Sequence, residues 1–281
     1  MEKQLYIKFL HDCLLIKDIL VIGDIHIGYD EMSDGRAIFP KLQLEEILGK
    51  LKNVFDFLEK QKIKIKKIVL LGDVKHDFGE ITDIEWRETL KFFDFLREKV
   101  NKIVIVKGNH DVILKPVVKK RDISLKDYYC IRINTKKICF LHGNKLFKQC
   151  LDSDILVFGH LHPAITLSDK YKTEKYKCFL KGGWKINSKN KKNWGWKINS
   201  KNKNGNIKNK KEVYILPSFS HVSFGYDLRN IDVNNRYQRK KNKEGKEFFV
   251  VQNKDLKNFE VVIYNNKENK EYNFGILRNL I

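Results

Sequence analysis

The chain has 281 residues, of which 42% are hydrophobic and 32% charged, so it can build a sizeable core and is not a disordered chain. Lysine and arginine number 56 against 35 acidic residues, and the net charge of +21 indicates either anionic partners or a general lysine bias. The apolar runs have about four to six residues, far fewer than the roughly 20 of a membrane helix, so we expect no membrane partner.

Five short runs rich in isoleucine, valine and leucine predict strands that are buried on both faces. They are Ile19–Ile22, Ile68–Leu71, Ile103–Val106, Ile138–Leu141 and Ile155–Phe158. Helical periodicity over residues 41–59 separates the first two runs. A second helix, which begins with a capping box at Thr82 and Glu85 and continues to Val100, separates the next two. Strands that alternate with helices favour an α/β domain.

Polar residues follow each of these five runs, and six of the eight histidines occur there. The candidate residues are Asp24, His26, Asp73, His76, Asn109, His110, Asp111, His142, His160 and His162. Ligands bind at the carboxyl ends of the strands in open α/β sheets. Five such segments in succession are not expected from ordinary turns, so we predict one functional site.

The side chains in this set suggest a metal centre without thiolates. Imidazole, carboxylate and amide ligands suit manganese, iron or zinc ions. Seven of these residues are candidate metal ligands, which is too many for one ion and the right number for two. The two ions can share Asp73 because its carboxylate has two oxygens. Two ions about 3.5–4 Å apart can clamp both oxygens of a phosphoryl displacement and make hydroxide available near neutral pH.

Residues 182–211 form a basic segment with ten lysines, three tryptophans and no acidic residue. The stretch 183–191 recurs unchanged at 195–203, an offset of twelve residues. The composition predicts a largely disordered low-complexity insertion. An alternative is a nucleic-acid arm, in which lysines contact phosphates while Trp184, Trp194 and Trp196 stack on bases.

The five cysteines, of which no two have CxxC spacing, lie in or near apolar stretches. They are Cys13, Cys130, Cys139, Cys150 and Cys178. We therefore predict buried free thiols in a reducing compartment. Charged residues interrupt the N-terminal segment, so we expect no signal peptide and a cytoplasmic location.

The order D-x-H, GD, GNHD, HG and GHxH resembles the calcineurin-like metallophosphoesterase superfamily. The spacing of Asp73 and His76 and the Leu161-His162-Pro163 segment are similar to the small SbcD-related phosphoesterases. That group includes ligase-associated and helicase-associated repair endonucleases. The resemblance covers residues 1–181 and 212–228.

The resemblance implies a role for each candidate residue. Asp24, His26, Asp73 and His162 would hold one ion, while Asp73, Asn109, His142 and His160 would hold the other. His110 would donate a proton or stabilise charge in the transition state, Asp111 would orient His110, and His76 would help to position the phosphate or His110. Arg36 is a candidate phosphate contact. The ions would be divalent, with Mn²⁺ favoured over Fe, Zn or Ni.

The resemblance also implies two facing mixed β-sheets flanked by helices. We expect edge strands from residues 4–9 and from segments near 176–181 and 212–217. Residues 1–228 would form the catalytic domain, and residues 229–281 a β-rich extension that either joins the core or forms a separate lobe. Its predicted strands are Phe248–Val251, Phe259–Tyr264 and Tyr272–Leu277.

Three functions compete at this point. The first is a two-metal phosphodiesterase acting on nucleic acid, in the manner of a DNA-repair nuclease. The second is a phosphodiesterase or pyrophosphatase acting on a small nucleotide. The third is a scaffold that kept the fold and lost the reaction, although no motif residue is missing. Only 119 residues follow His162, which leaves little room for the DNA-capping domain of the SbcD-type nucleases.

Overall fold

Two large β-sheets face each other in the computed structural model, which describes residues 5–28, 40–76, 81–186, 210–221, 223–231 and 249–281. Sheet one has six strands, β1 to β6 in chain order and in spatial order. They are β1 (Ile7–Leu10), β2 (Cys13–Ile16), β3 (Ile19–Ile22), β4 (Lys67–Leu70), β5 (Lys102–Val106) and β6 (Ser124–Lys126). The first three are antiparallel neighbours, and β3 to β6 run parallel.

Sheet two has seven strands in the spatial order β16-β15-β12-β13-β9-β8-β7. They are β7 (Tyr129–Ile133), β8 (Lys136–Leu141), β9 (Ile155–Phe158), β12 (Phe179–Lys185), β13 (Lys210–Ile215), β15 (Glu260–Asn265) and β16 (Lys270–Ile276). A smaller third sheet contains β10 (Pro163–Ser168), β11 (Thr173–Lys177) and β14 (Tyr226–Asp227). All five runs predicted as strands are strands in these sheets, within two residues at each end.

Four helices accompany the sheets in the described ranges: α1 (Pro40–Lys60), α2 (Asp83–Lys99), α3 (Lys115–Lys119) and α4 (Asn253–Leu256). The helix predicted at Thr82 is confirmed, and the Thr82 side chain accepts a hydrogen bond from the Glu85 amide at 3.1 Å. None of the helices in these ranges is both long and apolar enough to cross a membrane.

The two large sheets pack against each other through aromatic and aliphatic side chains. The ring centroid of Phe9 on β1 lies 4.7 Å from that of Phe179 on β12 and 6.0 Å from that of Tyr214 on β13. Apolar residues of α1 and α2 join the same buried cluster on the other side of sheet one. The predicted pair of facing sheets with helices alongside is therefore confirmed.

Two of the predicted edge strands are interior strands instead. The segments near 176–181 and 212–217 contribute to β12 and β13, which lie in the middle of sheet two. The reason is β15, which pairs with β12 and so covers its free side with a strand from the C-terminal extension. The prediction of a strand at Phe248–Val251 is wrong for residues 249–251, which form irregular structure.

The basic insertion is shorter than the sequence predicts. Strands β12 and β13 continue into it from both sides, and Lys185 pairs with Lys210 at the end of their antiparallel ladder. Trp184 is only 4% exposed and Lys211 only 1%, so Trp184 is not available to stack on a base. Trp194 and Trp196 lie outside the described residues.

Replacing residues 187–209 by a short turn should leave the melting temperature nearly unchanged. Lys185 and Lys210 are directly paired, so a hairpin loop of about two to four residues can close the ladder. Deleting residues 182–211 should instead destabilise the protein by about 3–5 kcal/mol or more, since it also removes buried Trp184. Thermal unfolding of both variants checks this. Equal melting temperatures would contradict the placement of residues 182–185 and 210–211 in strands β12 and β13.

The prediction of five free thiols is wrong for two of them. Cys130 on β7 and Cys139 on β8 are direct cross-strand partners and form a disulfide. Cys13, Cys150 and Cys178 are free and buried. Pairing across two strands depends on their register and leaves no short-range spacing signal in the sequence. The prediction of a reducing compartment rested on five free thiols, and the disulfide removes that argument.

Candidate metal centre

The predicted ligands meet where strands of both large sheets end. Backbone hydrogen bonds connect their loops: the Ile25 and His26 amides donate to the Asp73 carbonyl at 3.0 and 2.9 Å, and the Gly159 amide donates to the His142 carbonyl at 2.9 Å. These bonds cross between loops that follow different strands. The backbone of the fold therefore brings the ligand-bearing segments together.

A first cluster contains Asp24, His26 and His162, each with one ligand-type atom within 4.8 Å of the others. His26 Nε2 lies 3.4 Å from His162 Nε2, which lies 3.2 Å from Asp24 Oδ1. Two facing ring nitrogens can share one proton at most, whereas both can donate lone pairs to a cation. The donor set therefore fits a divalent metal ion.

A second cluster contains Asp73, His142 and His160, again with ligand-type atoms within 4.8 Å. His142 Nε2 lies 3.2 Å from Asp73 Oδ2 and 2.8 Å from Asn109 Oδ1. The same Asp73 Oδ2 lies 4.0 Å from His26 Nε2 of the first cluster. Asp73 thus lies between the two clusters, and the structure brings all seven predicted ligands into one region.

The charges of this region also suit a cation. Burial would raise the pKa of both Asp24 and Asp73, but neighbouring histidines hold the pKa of each carboxyl below its usual range. Burial, reinforced by His162, lowers the pKa of His26 to about 3. Burial would lower the pKa of His142, but Asp73 and then Asp24 raise it to about 9. The two ionised carboxylates outweigh the single charge of a protonated His142, and a metal ion would replace that proton and supply the positive charge.

Hydrogen bonds at Nδ1 of two imidazoles fix the orientation of the rings. His142 Nδ1 donates to the Leu71 carbonyl at 2.7 Å, and His162 Nδ1 lies 3.1 Å from the Ser223 hydroxyl. Such partners orient a ligating imidazole so that Nε2 faces the ion. The sequence analysis missed Ser223, because its proximity to His162 is created by the fold.

His110 lies beside Asp73. Its Nε2 is 3.8 Å from Asp73 Oδ2, and its backbone amide donates to Asp73 Oδ1 at 3.0 Å. Its Nδ1 contacts the carbonyl oxygen of His76, and the two rings stack with centroids 5.5 Å apart. A carbonyl oxygen can only accept a hydrogen bond, so His110 Nδ1 carries a proton, and Nε2 is the ring nitrogen that faces Asp73.

Asp111, which the resemblance assigns to orienting His110, connects two loops. Its carboxylate accepts hydrogen bonds from the amides of Val74 at 3.0 Å and Gly108 at 2.9 Å. The contact at His110 Nδ1 is made by the His76 carbonyl. Burial, followed by the charge of Asp73, raises the pKa of Asp111 to about 6.

His76 belongs to the same group of rings. Its Nδ1 lies 3.4 Å from His26 Nδ1, and its backbone amide donates to Glu85 Oε1 at 3.1 Å. The position of His76 therefore fits the expectation that it helps to place His110. Arg36, the candidate phosphate contact, lies outside the described residues.

Gly108 shows why glycine precedes the Asn109-His110 pair. A Cβ atom at this position would lie 2.1 Å from Asp73 Oδ1, closer than any side chain permits. The Gly108 amide is also used, since it donates to Asp111. A side chain at residue 108 would therefore displace the carboxylate that lies between the clusters.

Four of the predicted ligands have left-handed backbone conformations. The φ angles are +53° at His26, +48° at Asp73, +66° at His160 and +47° at His162. Such angles are uncommon outside glycine, cost roughly 1–2 kcal/mol per residue and occur at functional sites. The surrounding loops must therefore hold these residues in place.

The C-terminal extension also reaches the site, which the sequence did not indicate. The ring of Phe249 stacks on that of His160 with centroids 6.3 Å apart, and the Val250 amide donates to the Gly143 carbonyl at 3.0 Å. The sequence around Phe249 contains no motif, and only the fold brings it to His160.

The profile of the calcineurin-like phosphoesterase family matches residues 17–263. The chain therefore belongs to this family and is a metal-dependent phosphoesterase, a hydrolase that uses divalent metal ions. No curated protein matches the chain in a sequence comparison.

The chain is similar to several solved structures. The nuclease MPE of Pseudomonas putida has a TM-score of 0.52 at 15% identity, and the match covers 94% of each chain. A predicted phosphoesterase of Streptococcus pneumoniae TIGR4 has a TM-score of 0.29 at 14% identity, covering 91% of this chain and 96% of the other. The first of these supports the fold, which is that of a metallophosphoesterase.

Proposed function

We propose that the protein hydrolyses phosphodiester bonds in nucleic acid with two divalent ions, and that Mn²⁺ is the ion used. The observation that carries the proposal is the pair of Asp/His clusters on either side of Asp73. Asp24, His26 and His162 would hold one ion, while Asn109, His142 and His160 would hold the other. Asp73 would be shared.

Two ions in this position would polarise the phosphate and lower the pKa of a water molecule. The protein's own contribution is to supply a proton to the leaving oxygen. His110 suits this role because its Nε2 faces the metal region while its Nδ1 is held by the His76 carbonyl. A proton on Nε2 can then pass to the oxygen as the phosphorus–oxygen bond breaks.

Two features support nucleic acid as the substrate. The net charge of +21 attracts a polyanion. One solved structure that matches along 94% of the chain is that of a nuclease, although its 15% identity supports only the fold. The DNA-repair role expected from the sequence belongs to the same proposal.

A small nucleotide is the second candidate substrate, and one observation favours it. The described residues of the C-terminal extension add β15 and β16 to sheet two. They are thus used in the catalytic fold instead of forming a lobe that could cover a duplex. A substrate without a long duplex, such as a cyclic nucleotide or a nucleotide pyrophosphate, would suit this arrangement.

A substrate panel should distinguish the two. With Mn²⁺, we expect cleavage of single- or double-stranded oligonucleotides, and affinity that falls with salt. Each phosphate contact should add about 0.7–0.9 to the slope of log K against log salt. Cleavage products and binding at several salt concentrations measure this. Turnover of cyclic nucleotides or pyrophosphates alone, with no salt-dependent oligonucleotide binding, would favour the second candidate.

A further inference from the structure

Helix α1 buries two polar side chains on the face that it turns toward the sheets. Gln43 is 3% exposed, and the side chain of Lys50 is 10% exposed. They are seven residues apart, which places them two turns apart on one face of the helix. Apolar residues on the same helix, including Ile47 and Leu51, are buried as well. A polar residue among them needs an explanation other than core packing.

The amide of Gln43 binds the backbone directly after His26, on both sides of Ile27. Its Nε2 donates to the His26 carbonyl at 2.8 Å, and its Oε1 accepts from the Gly28 amide at 3.0 Å. Its Nε2 also lies 3.3 Å from the Ser220 hydroxyl. The segment held by these two bonds directly follows His26, whose φ angle is +53°, and ends at Gly28, whose φ angle is +92°. Gln43 thus holds the strained turn that aims the His26 ring.

Lys50 acts on the neighbouring loop, residues 216–221. Its Nζ donates to the Phe219 carbonyl at 2.9 Å and pairs with Asp12. In the same loop, the Ser218 hydroxyl and the Phe219 amide both donate to the Asp24 carbonyl, at 2.9 and 3.0 Å. The helix therefore reaches both Asp24 and His26 through hydrogen bonds to the backbone.

We propose that Gln43 is a positioning residue for the first metal site, where it holds the backbone of the His26 turn. The inference rests on the proposed function, because His26 is a ligand only if that proposal is right. An apolar side chain at position 43 would fill the same space without the three hydrogen bonds. The left-handed turn at His26 would then lose the bonds that offset its strain.

The test uses Gln43→Met, which keeps the volume and removes the hydrogen bonds. The metal-free protein is titrated with Mn²⁺ in a calorimeter, and binding to the first site should weaken by about 10-fold, the lower end for residues that orient ligands. Binding to the second site should be unchanged, and high Mn²⁺ should restore activity. Ile47→Val is the control, because it removes one buried methylene from the same helix and leaves the hydrogen bonds of Gln43 in place.

Hydrogen exchange of the Gly28 amide gives a readout that needs no metal. In the metal-free Gln43→Met protein this amide should exchange at least 10-fold faster than in the parent, and in Ile47→Val at the parental rate. If Gln43→Met does not fold, Gln43→Glu takes its place, since it keeps the oxygen that accepts from Gly28 and loses the donor to His26. It should weaken the first site while Gly28 stays protected.

Two outcomes would overturn the inference. One is a lower melting temperature with unchanged Mn²⁺ binding and unchanged Gly28 exchange, which would make Gln43 a packing residue only. The other is equal weakening of both sites. If the parent protein itself binds no Mn²⁺, the proposed function fails. In that case, slow exchange of the Gly28 amide that depends on Gln43 would still show that Gln43 holds the turn at His26.

Discussion

Replacing His110 with asparagine is expected to lower turnover by about 10²–10⁴-fold while the protein keeps its full metal content. The reason is geometric: His110 belongs to neither of the two Asp/His clusters, although it forms a third group with His26 and His76, and its Nε2 lies 3.8 Å from Asp73 Oδ2. The side chain can therefore supply a proton without binding an ion. Steady-state kinetics with a phosphodiester, together with elemental analysis of the purified variant, measures both quantities.

The leaving group provides the control for His110. A substrate whose leaving oxygen has a low pKa needs no proton, so its rate should recover partly in His110→Asn. An alkyl leaving group, which has a high pKa, should show the full loss. Loss of metal together with activity would place His110 among the ligands and overturn the role proposed for it.

Replacing Asp73 with asparagine should weaken the binding of both ions and abolish most activity. Its carboxylate lies 3.2 Å from His142 Nε2 in one cluster and 4.0 Å from His26 Nε2 in the other. The asparagine amide is neutral, so the variant loses a negative charge that would balance the charge of the ions in this buried site. Metal titration of the purified variant should show two weakened binding steps.

His26→Ala is the matched comparison for Asp73→Asn. Its ring faces His162 and Asp24, so its loss should weaken mainly the first ion. If the two variants weakened both ions equally, Asp73 would have no special place between the clusters.

The sequence predicted what depends on short-range patterns. Buried strands have continuous apolar runs, and the residues that follow parallel strands share one edge, so the predicted ligand set was visible as a list of strand ends. Thr82 and Glu85 are three positions apart, and the predicted cap was found. In each case the signal lies within a few residues of the element it describes.

The errors have a different origin, since each depends on which distant segments become neighbours. Cys130 meets Cys139 through the register of two strands, and β15 makes β12 an interior strand. Trp184 belongs to a segment of polar composition, but it is 4% exposed because β12 continues into that segment. In the sequence, Gln43 resembles the other polar residues of an amphipathic helix, and only the fold places it beside His26.

The left-handed turns at His26, Asp73, His160 and His162 have a consequence for how the protein acquires its metal. The backbone hydrogen bonds between loops hold these turns, and they join backbone atoms without using any of the ligand-type side-chain atoms. We therefore expect the metal-free protein to be folded, with ligands already aimed, so that ions enter and leave without refolding. Metal content would then follow the supply of ions, and the ion present at isolation would reflect its availability as much as the preference of the site.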